Sequence, residues 1–285
     1  MSHVKIIGVV GAGSMGSGIA NVFAQNGYKV VLRDIENRYL EGAIERISKF
    51  MDNSIKRGKL TEDQKQETLN RITTTTNLKD FKDVDLVVEA VLEDMELKQS
   101  VFKELDSIVR DDVLLTTNTS SMSITEIASV TKDSGRIAGL HFFNPAQVMK
   151  LVEVIRGLET RDTTVTVLKE VCESIKKEVV EVKKDVPGFI VNRIMIPQFI
   201  EAIKVLEEGI ASKEDIDKAM RYGLNHPMGS FELQDYAGVD IGYHVMEYFQ
   251  KEFADNRWAP PLLLKNMMRA GRNGKKVGKG FYDYD

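Results

Sequence analysis

The 285-residue chain has a single cysteine, Cys172, so an intrachain disulfide is excluded. That cysteine usage fits a reducing, cytoplasmic setting. Four scattered histidines, His3, His141, His226 and His244, show no metal-ligand spacing with it, and no metal is expected. No apolar run approaches the ~20 residues of a bilayer span, so no membrane partner is expected. Met1-Ser-His-Val runs straight into a strand-like stretch and carries no signal-peptide pattern. Basic charge is not in excess: 39 Lys and Arg face 43 Asp and Glu, leaving a net charge of −4. That balance argues against nucleic acid as a partner. Low-complexity segments, long linkers and internal repeats are also missing.

What remains is a globular chain, 42% hydrophobic and long enough for two domains. Val4-Lys-Ile-Ile-Gly-Val-Val10 reads as a buried parallel strand. Gly11-Ala12-Gly13-Ser14-Met15-Gly16 follows at once, then a helix from Ser17 to Gln25 stopped by Asn26-Gly27. Tyr28 to Leu32 is a second strand, with Arg33-Asp34 at its tip. A GxGxxG between strand and helix, with an acid at the end of the next strand, is a dinucleotide-binding pattern. Gly11 permits the turn, Gly13 lets a pyrophosphate approach and Gly16 allows helix and strand to pack. The helix N-terminus favours the phosphate charge. Asp34 accepts from a ribose hydroxyl and repels a 2′-phosphate, which favours NAD; Arg33 beside it leaves NADP open.

Further strands are expected at 72–76, 85–91, 113–117, 137–143, 151–155 and 179–182. Helices are expected at 38–57, after the capping box Thr61-Glu-Asp-Gln64, through Val109, after Ser123, and at 163–175. Strands alternating with helices predict an α/β, doubly wound, mainly parallel sheet of Rossmann type over residues 1–186. From Pro187 the alternation stops. Helical periodicity at 189–208, a Ser212 cap, and stretches at 239–253 and 262–270 predict an all-helical domain over 187–285, with a kink at Pro197.

Chemistry belongs beyond the carboxyl ends of the strands. Asp34, Glu93, Asn118, Ser120 and His141 all follow predicted strands there. Gly139-Leu-His-Phe-Phe-Asn-Pro145 and Leu151-Val-Glu-Val-Ile155 read as strand, turn, strand. Neighbouring strands can aim His141 and Glu153 at each other, and imidazole backed by carboxylate orients a general base. A structural histidine beside a half-buried glutamate is the competing reading. Ser120 lacks a G-x-S-x-G elbow, so it suits hydrogen-bonding a substrate oxygen better than nucleophilic attack. Asn192, expected inside an apolar helix, suggests an inward-facing polar contact, to a ligand or to an interdomain loop. Gly274-Lys-Lys-Val-Gly-Lys-Gly-Phe-Tyr282 reads as an anionic-ligand loop or a solvated end.

Together, Gly11-Ala-Gly-Ser-Met-Gly16, Asn118-Thr-Ser-Ser121, His141-Phe-Phe-Asn-Pro145, Lys150-Leu-Val-Glu153, Pro187-Gly-Phe-Ile-Val-Asn-Arg193 and Gly278-Lys-Gly-Phe-Tyr282 resemble the L-3-hydroxyacyl-CoA dehydrogenase family, in its short-chain form. The resemblance implies a dinucleotide-binding domain followed by a helical dimerisation domain, hence a homodimer. It implies oxidation of a short (S)-3-hydroxyacyl-CoA, with 3-hydroxybutyryl-CoA and acetoacetyl-CoA as the substrate pair. His141 is then the catalytic base, Glu153 its partner, and Ser120 and Asn192 substrate-oxygen ligands. Asp34 holds the ribose. Glu93, Lys98, Asn118, Ser120, Asn144 and Lys276 approach NAD, and Lys56 and Arg57 bind CoA. Asp52 and Asn53 depart from the Ser or Lys of the family pattern. Three competing functions remain at this stage: a dehydrogenase of a free hydroxy or sugar acid, a noncatalytic NAD sensor, and a Ser120/His141 hydrolase.

Overall fold

The structure, a computed structural model, describes residues 4–284; His3 lies outside them. The chain divides into two compact units, Met1–Val186 and Pro187–Asp285.

The first unit runs β1 (Ile6–Val10), α1 (Ser14–Gln25), β2 (Lys29–Arg33), α2 (Asn37–Lys56), α3 (Glu62–Asn70), β3 (Ile72–Thr75), β4 (Leu86–Glu89), α4 (Met95–Ile108), β5 (Leu114–Thr117), α5 (Ile124–Ala128), β6 (Ile137–Phe142), β7 (Leu151–Arg156), α6 (Asp162–Ser174) and β8 (Glu178–Val182). The eight strands form one sheet in the order β3-β2-β1-β4-β5-β6-β7-β8. Every pairing is parallel except β6 with β7. Apolar side chains fill both faces, as the near-continuous hydrophobic strands require. Ile7, Val9, Leu140 and Val154 pack with α1 and α6 residues, while Val87, Leu115 and Ile137 pack with Phe102 and Leu105 of α4. This is the doubly wound α/β fold the alternation predicts.

Helix starts follow local chemistry. Thr61 and Gln64 form the reciprocal capping box at α3, and Asp94 and Ser123 cap α4 and α5. α1 begins at Ser14, three residues before the expected Ser17, because Gly13 already serves as its N-cap.

The second unit is helical: α7 (Val191–Glu207), α8 (Lys213–Gly223), α9 (Ser230–Ala237), α10 (Val239–Phe253) and α11 (Leu262–Arg269). Its core gathers Phe199, Ile203, Phe231, Met246, Phe249 and Trp258. α7 starts two residues later than the periodicity suggests. Gly188 and Phe189 have φ of 75° and 53°, a left-handed pair that cannot join a right-handed helix. Asn192 therefore sits in the first turn of α7, where asparagine costs little, and the argument from a helix interior lapses.

The end of the Gly- and Lys-rich tail is not loose, while Lys275, Lys276 and Lys279 before it stay exposed. The buried Asp235 carboxylate accepts from the Phe281 and Tyr282 amides (2.8 and 2.9 Å) and from the Tyr284 hydroxyl (2.9 Å). Asp217 accepts from the Phe231 amide and the Tyr282 hydroxyl. These bonds clasp the tail to α8 and α9.

Candidate active site

The carboxyl ends of β1, β2, β4 and β5 lie in register, bringing Val10, Arg33, Glu89 and Thr117 to one edge. The glycine turn leaves β1 at that edge. Gly11 has φ of 100°, and a Cβ on Gly16 would stand 1.7 Å from the Gly11 carbonyl oxygen. Those two positions accept only glycine. Gly13 instead faces open space, and no side chain caps the amides of the first turn of α1. That open turn and uncapped positive helix end fit a pyrophosphate. Asp34 accepts from the Ala12 amide through Oδ2 (2.6 Å) and the Ile35 amide through Oδ1 (2.7 Å), which ties the acid to the turn. Its remaining lone pairs suit ribose hydroxyls. The residues present thus fit NAD.

Behind the edge lies a buried charged network; the sequence reading named Glu93 and Lys98 but not Glu89 at its centre. Glu89 is fully buried at the end of β4 and accepts from the Val91 amide, the Thr117 hydroxyl and the Lys98 ammonium at 2.7, 2.7 and 2.9 Å. Lys98, 1% exposed, also pairs with Glu93 at 3.2 Å. Glu93 in turn accepts from the Ser120 amide (2.9 Å) and the Thr119 hydroxyl. Lys98 therefore lies beneath Glu93, supporting it rather than lining the open edge, and Glu93 fixes the turn that carries Ser120. One signal was available: a glutamate ending an otherwise apolar strand is costly to bury without a cation.

His141 and Glu153 are direct partners in the antiparallel β6–β7 ladder. Both are buried, and Nδ1 lies 2.7 Å from Glu153 Oε2. Because side chains alternate, a slip of one residue would send one of them to the opposite face. The Phe143 ring stands 4.5 Å from the imidazole, centroid to centroid. Asn118 Oδ1 accepts from the Phe142 amide at 2.8 Å, locking the end of β5 to the strand segment beside His141. The loop after it, with its cis Asn144–Pro145 bond, is anchored by Lys177, whose ammonium donates to the Ala146 and Met149 carbonyls at 2.6 Å each. Burial holds that ammonium below its ordinary range. Lys177 is a second residue that periodicity could not reveal.

The remaining candidates are more dispersed. Lys56 and Arg57 lie exposed at the end of α2 and make no ion pair among the described residues. The nearby Asp52 is occupied by Lys65 at 2.5 Å. In the second unit Asn192 is half-buried, and Lys276 donates to Asp240 at 2.6 Å. Among the described residues no cluster of His, Cys, Asp or Glu could hold a metal, and no helix is long and apolar enough to cross a membrane.

A dinucleotide turn and a carboxylate-backed histidine on one α/β sheet define an NAD-dependent dehydrogenase. Residues 6–186 match the 3-hydroxyacyl-CoA dehydrogenase NAD binding domain, and residues 188–284 match the C-terminal domain of the same enzymes. The chain is 44% identical to a 3-hydroxybutyryl-CoA dehydrogenase of Clostridioides difficile, over 98% of this chain and 99% of that one. Its fold superposes on the (S)-3-hydroxybutyryl-CoA dehydrogenase of Ralstonia eutropha with a TM-score of 0.95, at 43% identity over 99% of both chains. FadB2 of M. tuberculosis gives a TM-score of 0.97 at 40% identity over 100% of both. The chain belongs to the 3-hydroxyacyl-CoA dehydrogenase family.

Proposed function

We propose that the chain interconverts (S)-3-hydroxybutyryl-CoA and acetoacetyl-CoA, with His141 as its acid–base group. The observation that carries this reading is the buried 2.7 Å contact between His141 Nδ1 and Glu153. A carboxylate can only accept, so Nδ1 carries the hydrogen and Nε2 presents the lone pair. In oxidation His141 takes the proton of the 3-hydroxyl through Nε2, and Glu153 stabilises the imidazolium that results. In reduction the imidazolium returns that proton to the oxygen at C3. Bound NAD supplies the acceptor for the hydride that leaves C3. The Gly11–Gly16 turn and Asp34 would hold its pyrophosphate and ribose, with Glu93 and Asn144 beside the open edge.

The Ser120 hydroxyl and Asn192 amide are proposed to bind the reacting oxygen and fix its approach. Lys56 and Arg57, exposed and unpaired by carboxylates among the described residues, suit CoA phosphates. The chain is further proposed to act in the cytoplasm as a homodimer through its helical unit. That unit exposes large apolar side chains, among them Ile194, Ile210, Tyr222, Leu224 and Leu262.

The test is acetoacetyl-CoA reduction followed in parallel with NADH and NADPH, then repeated with a longer 3-oxoacyl-CoA and with free acetoacetate. The reading predicts turnover of the CoA ester with NADH and little of the free acid. Equal activity on the free acid would overturn the CoA assignment.

A further inference from the structure

A second site-like feature lies wholly in the helical unit. A cavity of about 320 Å³ opens beside α7 and is lined by Arg193, Glu201, Lys204, Arg257 and Trp258, among others. Two of its lining residues keep a buried donor without an acceptor. Arg193 Nη1 and Trp258 Nε1 are both buried and lack any hydrogen-bond partner. Trp258 as a whole is 3% exposed. Buried donors left unsatisfied are costly, and each needs an acceptor.

Charge points the same way. The Arg193 guanidinium lies 3.9 Å over the Phe253 ring and 4.5 Å over the Trp258 ring. Among the described residues it pairs with no carboxylate. Arg257 lies over the same Trp258 ring, 4.8 Å from its centroid. Burial, and then the like charge of Arg257, push Arg193 below its ordinary range. Lys204 and Arg257 have carboxylate neighbours, Glu201 at 3.7 Å and Asp255 at 3.0 Å, so their charges are largely met. The unmet cation is Arg193, held in place by two aromatic faces.

We propose that this cavity is a binding site for a small oxyanion, a phosphate- or carboxylate-bearing metabolite, held by Arg193 and Arg257 beside the Trp258 ring. The planar guanidinium fork matches such a group in two parallel hydrogen bonds. The cavity is within the range of small-ligand pockets. This site is separate from the residues assigned to the dehydrogenase reaction, so it stands whether or not that assignment does.

Trp258 is the only tryptophan of the chain, so its emission reports the site directly. Inorganic phosphate, and in a second series succinate, is titrated into the full-length protein at constant ionic strength set with chloride. A saturable change in tryptophan emission is expected. In Arg257→Gln, and separately in Arg193→Lys, the midpoint should weaken about tenfold or more, the loss of one charged donor. Arg257 is exposed, so its variant keeps the fold, and unchanged melting of the variant checks that. No saturable change in the unmodified protein, or an identical midpoint in both variants, overturns the proposal. So does emission that shifts with protein concentration while phosphate has no effect, since the acceptor is then a side chain of a second copy.

Discussion

Glu153 faces His141 squarely across the β6–β7 ladder, with Oε2 2.7 Å from Nδ1 and both side chains buried. The only antiparallel pairing in the sheet is the one that makes this contact. If the carboxylate selects the tautomer, Glu153→Gln should lower kcat by roughly 10²-fold. The amide can present its N–H to Nδ1 and leave the proton on Nε2, the wrong nitrogen. Acetoacetyl-CoA KM should change little. The pH profile of kcat should shift as well, because the imidazolium loses its counter-charge. A variant with an unaltered profile and normal kcat would reduce Glu153 to a packing role.

The Glu89–Lys98 pair predicts a stability effect. Lys98→Met leaves the fully buried Glu89 carboxylate without its cation, which should cost roughly 3–5 kcal/mol. The double variant Glu89→Gln, Lys98→Met should recover much of that loss. Urea unfolding of the parent and the two variants measures it. A single variant as stable as the parent would mean the pair carries no such strain.

Much of this was legible from the sequence, and the misses have physical causes. Thr61, Ser123 and Ser212 announce their helices because cap chemistry is local. The His141–Glu153 contact was foreseeable because two apolar runs follow each other closely, although residues 143–150 join them as a loop rather than a tight turn. The Gly188–Phe189 left-handed pair was not, since helical periodicity runs straight through it and φ leaves no trace in a hydrophobic pattern. α9 is only eight residues long and half polar, too short for periodicity to declare it. Lys177 and Glu89 act through partners 28–31 and 9–28 residues away, respectively, and such pairings exist only once the sheet is assembled.

Acid stability should depend on Glu181. Its carboxyl is held down to about 2 from an ordinary 4.5 by Lys169 and then Arg156, the latter at 2.8 Å. A depressed acid contributes its stability above the unfolded pKa and loses it as pH falls through the folded one. The gap between parent and Glu181→Gln should therefore hold at pH 7, on the order of 1 kcal/mol after solvent screening. It should close between about pH 4.5 and 2. Denaturation at pH 7, 4 and 3 checks the sign, and a gap that widens on acidification would contradict it.

Cys172 should be chemically silent. It is fully buried in α6, and burial pushes its thiol up to about 12. The thiolate is the reactive form, so iodoacetamide at pH 8 should leave the folded protein unmodified and label it once in urea. Rapid labelling without denaturant would show that α6 opens readily.

The most direct measurement is turnover of acetoacetyl-CoA with NADH by His141→Ala, compared with the parent after confirming equal folding and equal NADH binding. The account predicts that kcat falls by roughly 10²–10⁴ while the cofactor still binds. Turnover within a few-fold of the parent would contradict it and return the histidine to a structural role.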